Sequence, residues 1–166
     1  MRKITYFEPF PTEGWPNPKD LEPYFLMSPG MEWTYPEGTD SWVLRAEGLY
    51  GTEHLTPKTG RVDVSLYMVG HPQHGITFSY QKWDGREQRK ASYSSKGNLS
   101  RRLEFIRSLH QDLMSIGLFV PFPKAWKAVK EFIERDGELP NSIEWIRARD
   151  LPEDTFPPQW EHPEVR

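Results

Sequence analysis

The chain has 166 residues, an ordinary length for one domain, and its lack of cysteine excludes disulfides, thiol nucleophiles and thiolate metal sites. Its hydrophobic fraction is only 36%, but 14% of the residues are aromatic, and rings that each bury about 150–250 Å² can fill a core with few aliphatic side chains. The formal net charge is −3, and no apolar run approaches the about 20 residues of a membrane span. We therefore expect a soluble cytoplasmic protein that does not enter a membrane, and its oligomeric state stays open.

Prolines are concentrated at the two ends of the chain, which predicts irregular structure there because proline lacks a backbone N–H and restricts φ. The first 40 residues form a Pro-rich aromatic arm, and residues 151–166 form an acidic Pro-rich tail. Both contain large rings, such as Trp15 and Trp160. Such rings predict arms that pack onto a core rather than free tails.

Residues 41–95 predict an antiparallel meander. Apolar and polar residues alternate in this part of the chain, which indicates strands with one buried face. The alternating segments are 41–49, 61–69 and 76–82.

A tight hairpin is predicted after the third alternating segment, where Asp84-Gly85 separates two strand patterns. Trp83 would lie at the tip of this hairpin. The next strand pattern, 87–94, is polar at nearly every position and includes Lys90. Charged side chains protect an edge strand from stray pairing, so we predict that this strand lies at the edge of the sheet.

Residues 98–147 predict two helices and a strand. The first helix would begin at Asn98, a favoured N-cap residue, and continue through Leu113 with apolar residues at spacings of three and four. The second would cover about 123–135 and end before a glycine. A short strand pattern follows at 142–147.

These patterns together predict a single α+β domain over 1–166. Its core would be a four- to five-stranded, mostly antiparallel sheet with two helices on one face and Pro-rich arms at both ends.

A search for catalytic and metal-binding motifs predicts no enzyme, no metal and no cofactor. His71 and His74 flank a proline in a turn, and no third ligand is implied. Glu53 and His54 are adjacent, so on a strand they would point to opposite faces. The sequence contains neither a nucleophile elbow nor a phosphate-binding glycine loop.

Charge is distributed unevenly along the chain. Residues 81–107 include eight basic and three acidic residues, whereas residues 131–166 include ten acidic and four basic residues. The basic hairpin, 82–107, could bind nucleic acid through its cations and the rings of Trp83 and Tyr93. The overall isoelectric point of about 6.0 argues against this.

The C-terminal half resembles a known family. One part of the pattern is the apolar run 117–123, followed by two alanines and a phenylalanine at helical spacing. A glycine, a proline and a strand that ends in tryptophan complete it, and an upstream segment, 93–98, is similar to the family's strand end. The residues of the helix and strand are Ala125, Ala128, Phe132, Gly137, Pro140, Ile143 and Trp145. Over roughly 76–146 the chain resembles the first-described family of immunity proteins from bacterial polymorphic toxin systems.

The resemblance implies a protein that binds a cognate toxin domain and covers its active site, without catalytic residues of its own. Members of the family often guard against deaminase-type toxins. Acidic residues against a toxin that binds polyanions would raise the association rate and the specificity, and aromatic anchors would carry most of the affinity. The residues expected at this interface are Trp83, Asp84, Glu138, Glu144, Asp150, Glu153, Asp154 and Trp160.

Two other functions stay open at this point. One is a small hydrolase or transferase with a dispersed active site, which a strongly perturbed carboxylate or histidine in a deep pocket would favour. The other is a nucleic-acid adaptor that uses the basic hairpin, 82–107, and whose binding would depend steeply on salt.

Overall fold

The computed structural model of the chain describes residues 1–7, 10–26 and 40–159. It has the α+β class that the sequence predicts, with two helices and a mostly antiparallel sheet. In chain order the elements are β1 (Arg2–Tyr6), α1 (Pro18–Leu26), β2 (Ser41–Glu47), β3 (Val62–His71), β4 (Gly75–Asp84), β5 (Arg89–Ser95), β6 (Phe105–Arg107), β7 (Leu113–Ser115), β8 (Phe119–Val120), α2 (Phe122–Glu134) and β9 (Trp145–Arg147).

Among the described residues the main sheet has seven strands, which is more than the four or five predicted. Six of them lie in the order β1-β2-β3-β4-β5-β9, and the seventh, β8, pairs with β4 at Ile76 and Thr77. β6 and β7 form a separate two-stranded hairpin. All the pairings are antiparallel, so the meander predicted for residues 41–95 is confirmed.

Along the long strands β3 and β4, alternate side chains form an apolar face of the sheet and a polar face. Leu66 lies opposite Tyr80, and Met68 lies opposite Phe78. All four side chains are buried because both helices pack on this face. The helix side chains that complete the core are Leu21 and Phe25 of α1 and Ala125, Trp126, Val129 and Phe132 of α2.

The N-terminal segment is more regular than its prolines predict. β1 pairs with β2 along its whole length, and α1 begins at Pro18, where a missing N–H costs nothing because a first-turn N–H has no helical partner. The Asn17 side chain caps this helix by accepting the N–H of Lys19 at 2.9 Å. Phe25 is fully buried. The free energy gained by burying such side chains stabilises regular structure despite the prolines, and the segment packs onto the core as predicted.

The helix predicted from Asn98 to Leu113 is wrong. Asn98 caps only one turn of 3-10 helix, Leu99–Arg101, and the chain then forms the β6–β7 hairpin. Ser108 closes its turn, because the Ser108 hydroxyl accepts the N–H groups of His110 at 3.2 Å and Asp112 at 3.1 Å. These local bonds replace the helical ones.

Two glycines explain how this segment leaves the sheet and returns. The N–H of Gly97 donates to the carbonyl of Gly117 at 3.0 Å. A Cβ at Gly97 would lie 2.2 Å from the carbonyl oxygen of Phe119, and a Cβ at Gly117 would lie 2.7 Å from the backbone of Arg102. Only glycine permits such close backbone contacts.

The second predicted helix is confirmed as α2, and the predicted C-terminal strand is present as the shorter β9. The edge position predicted for β5 holds for only part of that strand. β9 pairs with Tyr93–Ser95. The preceding residues of β5, 89–92, pair with β4 on one side, and on the other side no strand of the described part of the chain pairs with them. Neither described helix combines the length and apolar content needed to cross a bilayer.

The hairpin that replaces the predicted helix can be tested by a pair of substitutions. Ile106 is 2% exposed, whereas Leu103 is 54% exposed. Ile106→Ala should lower the free energy of unfolding by about 2–5 kcal/mol, and Leu103→Ala should change it by less than about 0.5 kcal/mol. Urea denaturation followed by tryptophan fluorescence measures both. A large loss for Leu103→Ala would instead support the helix, in which this residue lies on the apolar face.

Candidate functional site

The polar face of the sheet, opposite the helices, is the candidate functional surface, and we call it the open face. The side chains that point to it alternate with the core residues of β2 to β5. Tyr6 and Tyr67 lie in one cross-strand row, separated by Val43, and are 55% and 38% exposed. Tyrosines presented in this way are typical of protein interfaces.

A groove of about 390 Å³ occupies one end of the open face. We call it the hydroxyl groove because its floor presents the hydroxyl groups of Tyr67, Ser79 and Ser92. The β6–β7 hairpin and Phe156, which is 54% exposed, form its apolar walls. No charged residue lines it among the residues described, so it suits a neutral hydrogen-bonding or apolar group.

A second groove, of about 210 Å³, lies at the other end of the open face and shares Gln81 with the first. Its lining includes Arg45, Lys90 and Trp83. The indole N–H of Trp83 donates to the carbonyl of Pro57 at 2.9 Å, so the ring is held half-buried as a wall of this groove. The predicted anchor Trp83 therefore lies on the open face rather than free at the hairpin tip.

Asp84 and Glu138, also predicted at the interface, lie in a cluster around Tyr50. The Tyr50 hydroxyl donates to the Glu138 carboxylate and accepts from the Lys82 ammonium at 2.5 Å. The Arg86 guanidinium stacks 4.6 Å from the centre of the Tyr50 ring and bonds to the Asp84 carboxylate at 2.9 Å. The contacts with Arg86 lower the pKa of Asp84. Both acids thus already have basic partners in the fold.

The backbone of Tyr50 is strained, with φ at 59°, a left-handed conformation that few residues other than glycine adopt. Burial, followed by the hydrogen bond with Glu138, raises the pKa of its hydroxyl. The hydroxyl therefore stays protonated at neutral pH, and the cluster keeps an exposed tyrosine ring in one orientation.

The remaining predicted acids lie on the C-terminal side of the fold. Glu144 precedes β9, and its backbone carbonyl accepts the N–H of Lys96 at 3.0 Å. Asp150 and Glu153 are exposed in successive 3-10 turns, Ala148–Asp150 and Glu153–Thr155.

Asp154 is exposed and forms an ion pair with Arg102. Asp150, Glu153 and Asp154 lie along the chain between Ala148 and Phe156, two residues that line the hydroxyl groove. Trp160 lies outside the described residues.

Four cations of the basic segment 82–107 each lie close to a different carboxylate. Lys82 lies 3.7 Å from Glu138 and Arg86 bonds to Asp84, while Arg101 bonds to Glu104 and Arg102 pairs with Asp154. The fold therefore places these cations in separate pairs rather than along one continuous track.

His71 and His74 are close together, with their ring centres 4.8 Å apart. The Nδ1 atom of His71 accepts the N–H of Gln73 at 3.1 Å, so it is occupied within its own turn. No group of three or more potential metal ligands occurs among the residues that the structure describes.

Several residues of the open face and the Tyr50 cluster were missed in the sequence, among them Tyr50, Tyr67, Gln81 and Phe156. Tyr67 and Gln81 occupy the polar positions of alternating strands, so the period-two pattern contained the signal that could have found them. Tyr50 and Phe156 lie in turns, where the sequence carries no comparable periodicity.

Comparison with known proteins gives no match for this chain among family models, curated proteins or solved structures.

The histidine pair makes stability depend on pH. Burial lowers the pKa of both His71 and His74, and the charge of the neighbouring cation (His74 for His71, Arg101 for His74) lowers it further, against opposing effects of Asp40 and Glu104. Their folded-state pKa values therefore lie below the value of about 6.5 in the unfolded chain. The unfolded chain takes up more protons as the pH falls below that value, so stability is lost on acidification.

In the natural chain, the urea concentration at the midpoint of unfolding should decrease as the pH is lowered from 7 to about 5.5. It should decrease less in His71→Gln/His74→Gln, which has no imidazole at either position. Equal slopes in the two proteins would show that the pair does not contribute.

Proposed function

We propose that this chain is an immunity protein that binds a cognate bacterial toxin domain one to one and covers its active site. It would act in the cytoplasm of the cell that makes the toxin. The proposal combines the family resemblance over roughly 76–146 with a surface that suits protein binding.

The open face is the single observation that carries the proposal. One side of the sheet is packed by both helices, while the other presents exposed tyrosines, a half-buried tryptophan and a polar floor. Interfaces of this composition combine aromatic anchors with adaptable hydrogen-bonding groups. A rigid sheet also holds these side chains in place before a partner arrives, which reduces the entropy cost of binding.

The size of the open face suits a protein partner. Five neighbouring strands, β1 to β5, spaced about 4.8 Å apart give a width of about 24 Å, and their lengths of 5 to 10 residues, about eight on average, give a length of about 26 Å. The resulting area of about 500–650 Å², with the groove walls added, approaches the about 800 Å² per partner of a standard interface. A small substrate would need a more enclosed site.

In this proposal the C-terminal acids attract a basic partner electrostatically. Asp150, Glu153 and Asp154 lie on the chain next to a wall of the hydroxyl groove. Exposed charges of this kind steer a basic partner toward the surface and raise the association rate more than the final affinity.

The first experiment is a growth assay. The C-terminal domain encoded by the gene immediately upstream is expressed in a bacterium with and without this chain. Our proposal expects that the domain kills and that this chain restores growth and co-purifies with it. A neighbour that is harmless, or that kills regardless of this chain, would contradict the proposal.

The second experiment locates the surface. Tyr67→Ala removes a central exposed ring and should weaken binding to the toxin domain by about 30-fold or more, because truncation of an interface anchor costs about 2 kcal/mol or more. Leu103→Ala, at an exposed site outside both grooves, is the matched control and should bind like the natural chain. Calorimetric titration measures both, and equal affinities would place the interface elsewhere.

A further inference from the structure

The free edge of β5 is a second surface that could bind another chain. β9 covers only Tyr93–Ser95 of this strand, because the chain then forms the 3-10 turn Ala148–Asp150, which contacts β5 without pairing with it as a strand. Residues 89–92 therefore pair with β4 on one side only, and on the other side no strand of the described part of the chain pairs with them. At an open edge every second residue directs its backbone N–H and C=O outward, where they can pair with an added strand.

A groove of about 230 Å³ runs along this edge. Successive residues of β5 line it, from Lys90 to Tyr93, although their side chains point alternately to the two faces of the sheet. The groove therefore follows the edge of the strand rather than either face. Its length matches a segment of about four extended residues, or about 13 Å.

The groove is strongly basic. Lys90, Arg147 and Arg149 line it and are exposed. Within the described ranges none of the three has a carboxylate at ion-pair distance, whereas most cations of the neighbouring hairpin do. Arg147 stacks over the Tyr93 ring at 5.6 Å, so its guanidinium is held beside the groove.

We infer that the free edge of β5 binds an extended acidic segment of a partner protein by strand addition, next to β9. The backbone edge supplies main-chain hydrogen bonds, and the three cations select acidic side chains. This inference does not depend on the identity of the partner. It concerns the edge of the sheet next to the open face, and the two surfaces share Lys90 and Ser92.

Two other occupants fit the groove less well. In a second copy of this chain, edge-to-edge pairing would bring Arg89 and Lys90 close to the same residues of the other copy, which like charges oppose. Single-stranded nucleic acid binds by stacking its bases on aromatic rings. Tyr93 is the ring in this groove, and Arg147 already covers it.

The test uses the full chain and a fluorescent peptide of alternating glutamate and valine. We expect saturable binding by fluorescence anisotropy that weakens as salt is raised, together with shifts and slower hydrogen exchange of the residue 89–92 amides by NMR. The same peptide with every backbone nitrogen methylated has no N–H to donate on either edge, cannot add as a strand, and should bind at least about tenfold more weakly. Equal binding of the methylated peptide, or absence of amide shifts at 89–92, would overturn the inference.

Charge-reversal variants test whether the peptide binds at this groove. Lys90→Glu/Arg149→Glu should weaken peptide binding by at least about tenfold, because two attractive contacts become repulsive. Lys124→Glu/Lys127→Glu, on the exposed side of α2, makes the same charge change elsewhere and should bind normally. Thermal melts establish that both variants fold.

Oligothymidylate is titrated in parallel to test nucleic acid as the occupant. If it binds more tightly than the peptide and its binding depends on the same cations, the groove is a nucleic-acid site and the inference fails.

Discussion

The antiparallel pairing of β3 with β4 is the interaction on which the rest of the structure depends. Its register places Leu66 beside Tyr80 and Met68 beside Phe78 on one face, and a shift of one residue would move all of them to the other face. Because this face is apolar, both helices pack against it. Because the opposite face carries Tyr67 and Gln81 at the intervening positions, that face stays polar and open. The core and the proposed interface thus have the same origin.

How much could be predicted from the sequence depended on how local the determining interactions are. The strands of the meander and helix α2 follow from periodicity within single segments, and they were predicted. The segment 98–113 has helical spacing but folds as a hairpin, because Ser108 closes a turn and contacts at Gly97 and Gly117 return the chain to the sheet. The Ser108 turn is local and was missed because the segment also has helical spacing. The contacts at Gly97 and Gly117 join residues distant in sequence, so no local pattern reports them. The same reason applies to β1 and β8.

The predicted interface residues are divided by the fold into groups with different roles. Trp83 lies on the open face, whereas Asp84 and Glu138 stabilise the cluster around Tyr50 through Arg86 and Lys82. The acids of the C-terminal turns lie along the chain between Ala148 and Phe156, which line the hydroxyl groove. Charge alone indicated that the C-terminal part of the chain was acidic, but it could not distinguish a carboxylate that pairs within the fold from one that is exposed without a basic partner. That distinction required the tertiary structure.

The measurement that tests the central claim most directly is side-chain footprinting by hydroxyl radicals, with and without the proposed toxin partner, the C-terminal domain encoded by the gene immediately upstream. If the open face is the interface, oxidation of Tyr6, Tyr67 and Phe156 should fall strongly in the complex, while that of the exposed Leu103 and Leu109 should stay unchanged. If the three rings remain fully reactive in a stable complex, the open face does not bind the partner, and the account of this protein would be wrong at its centre.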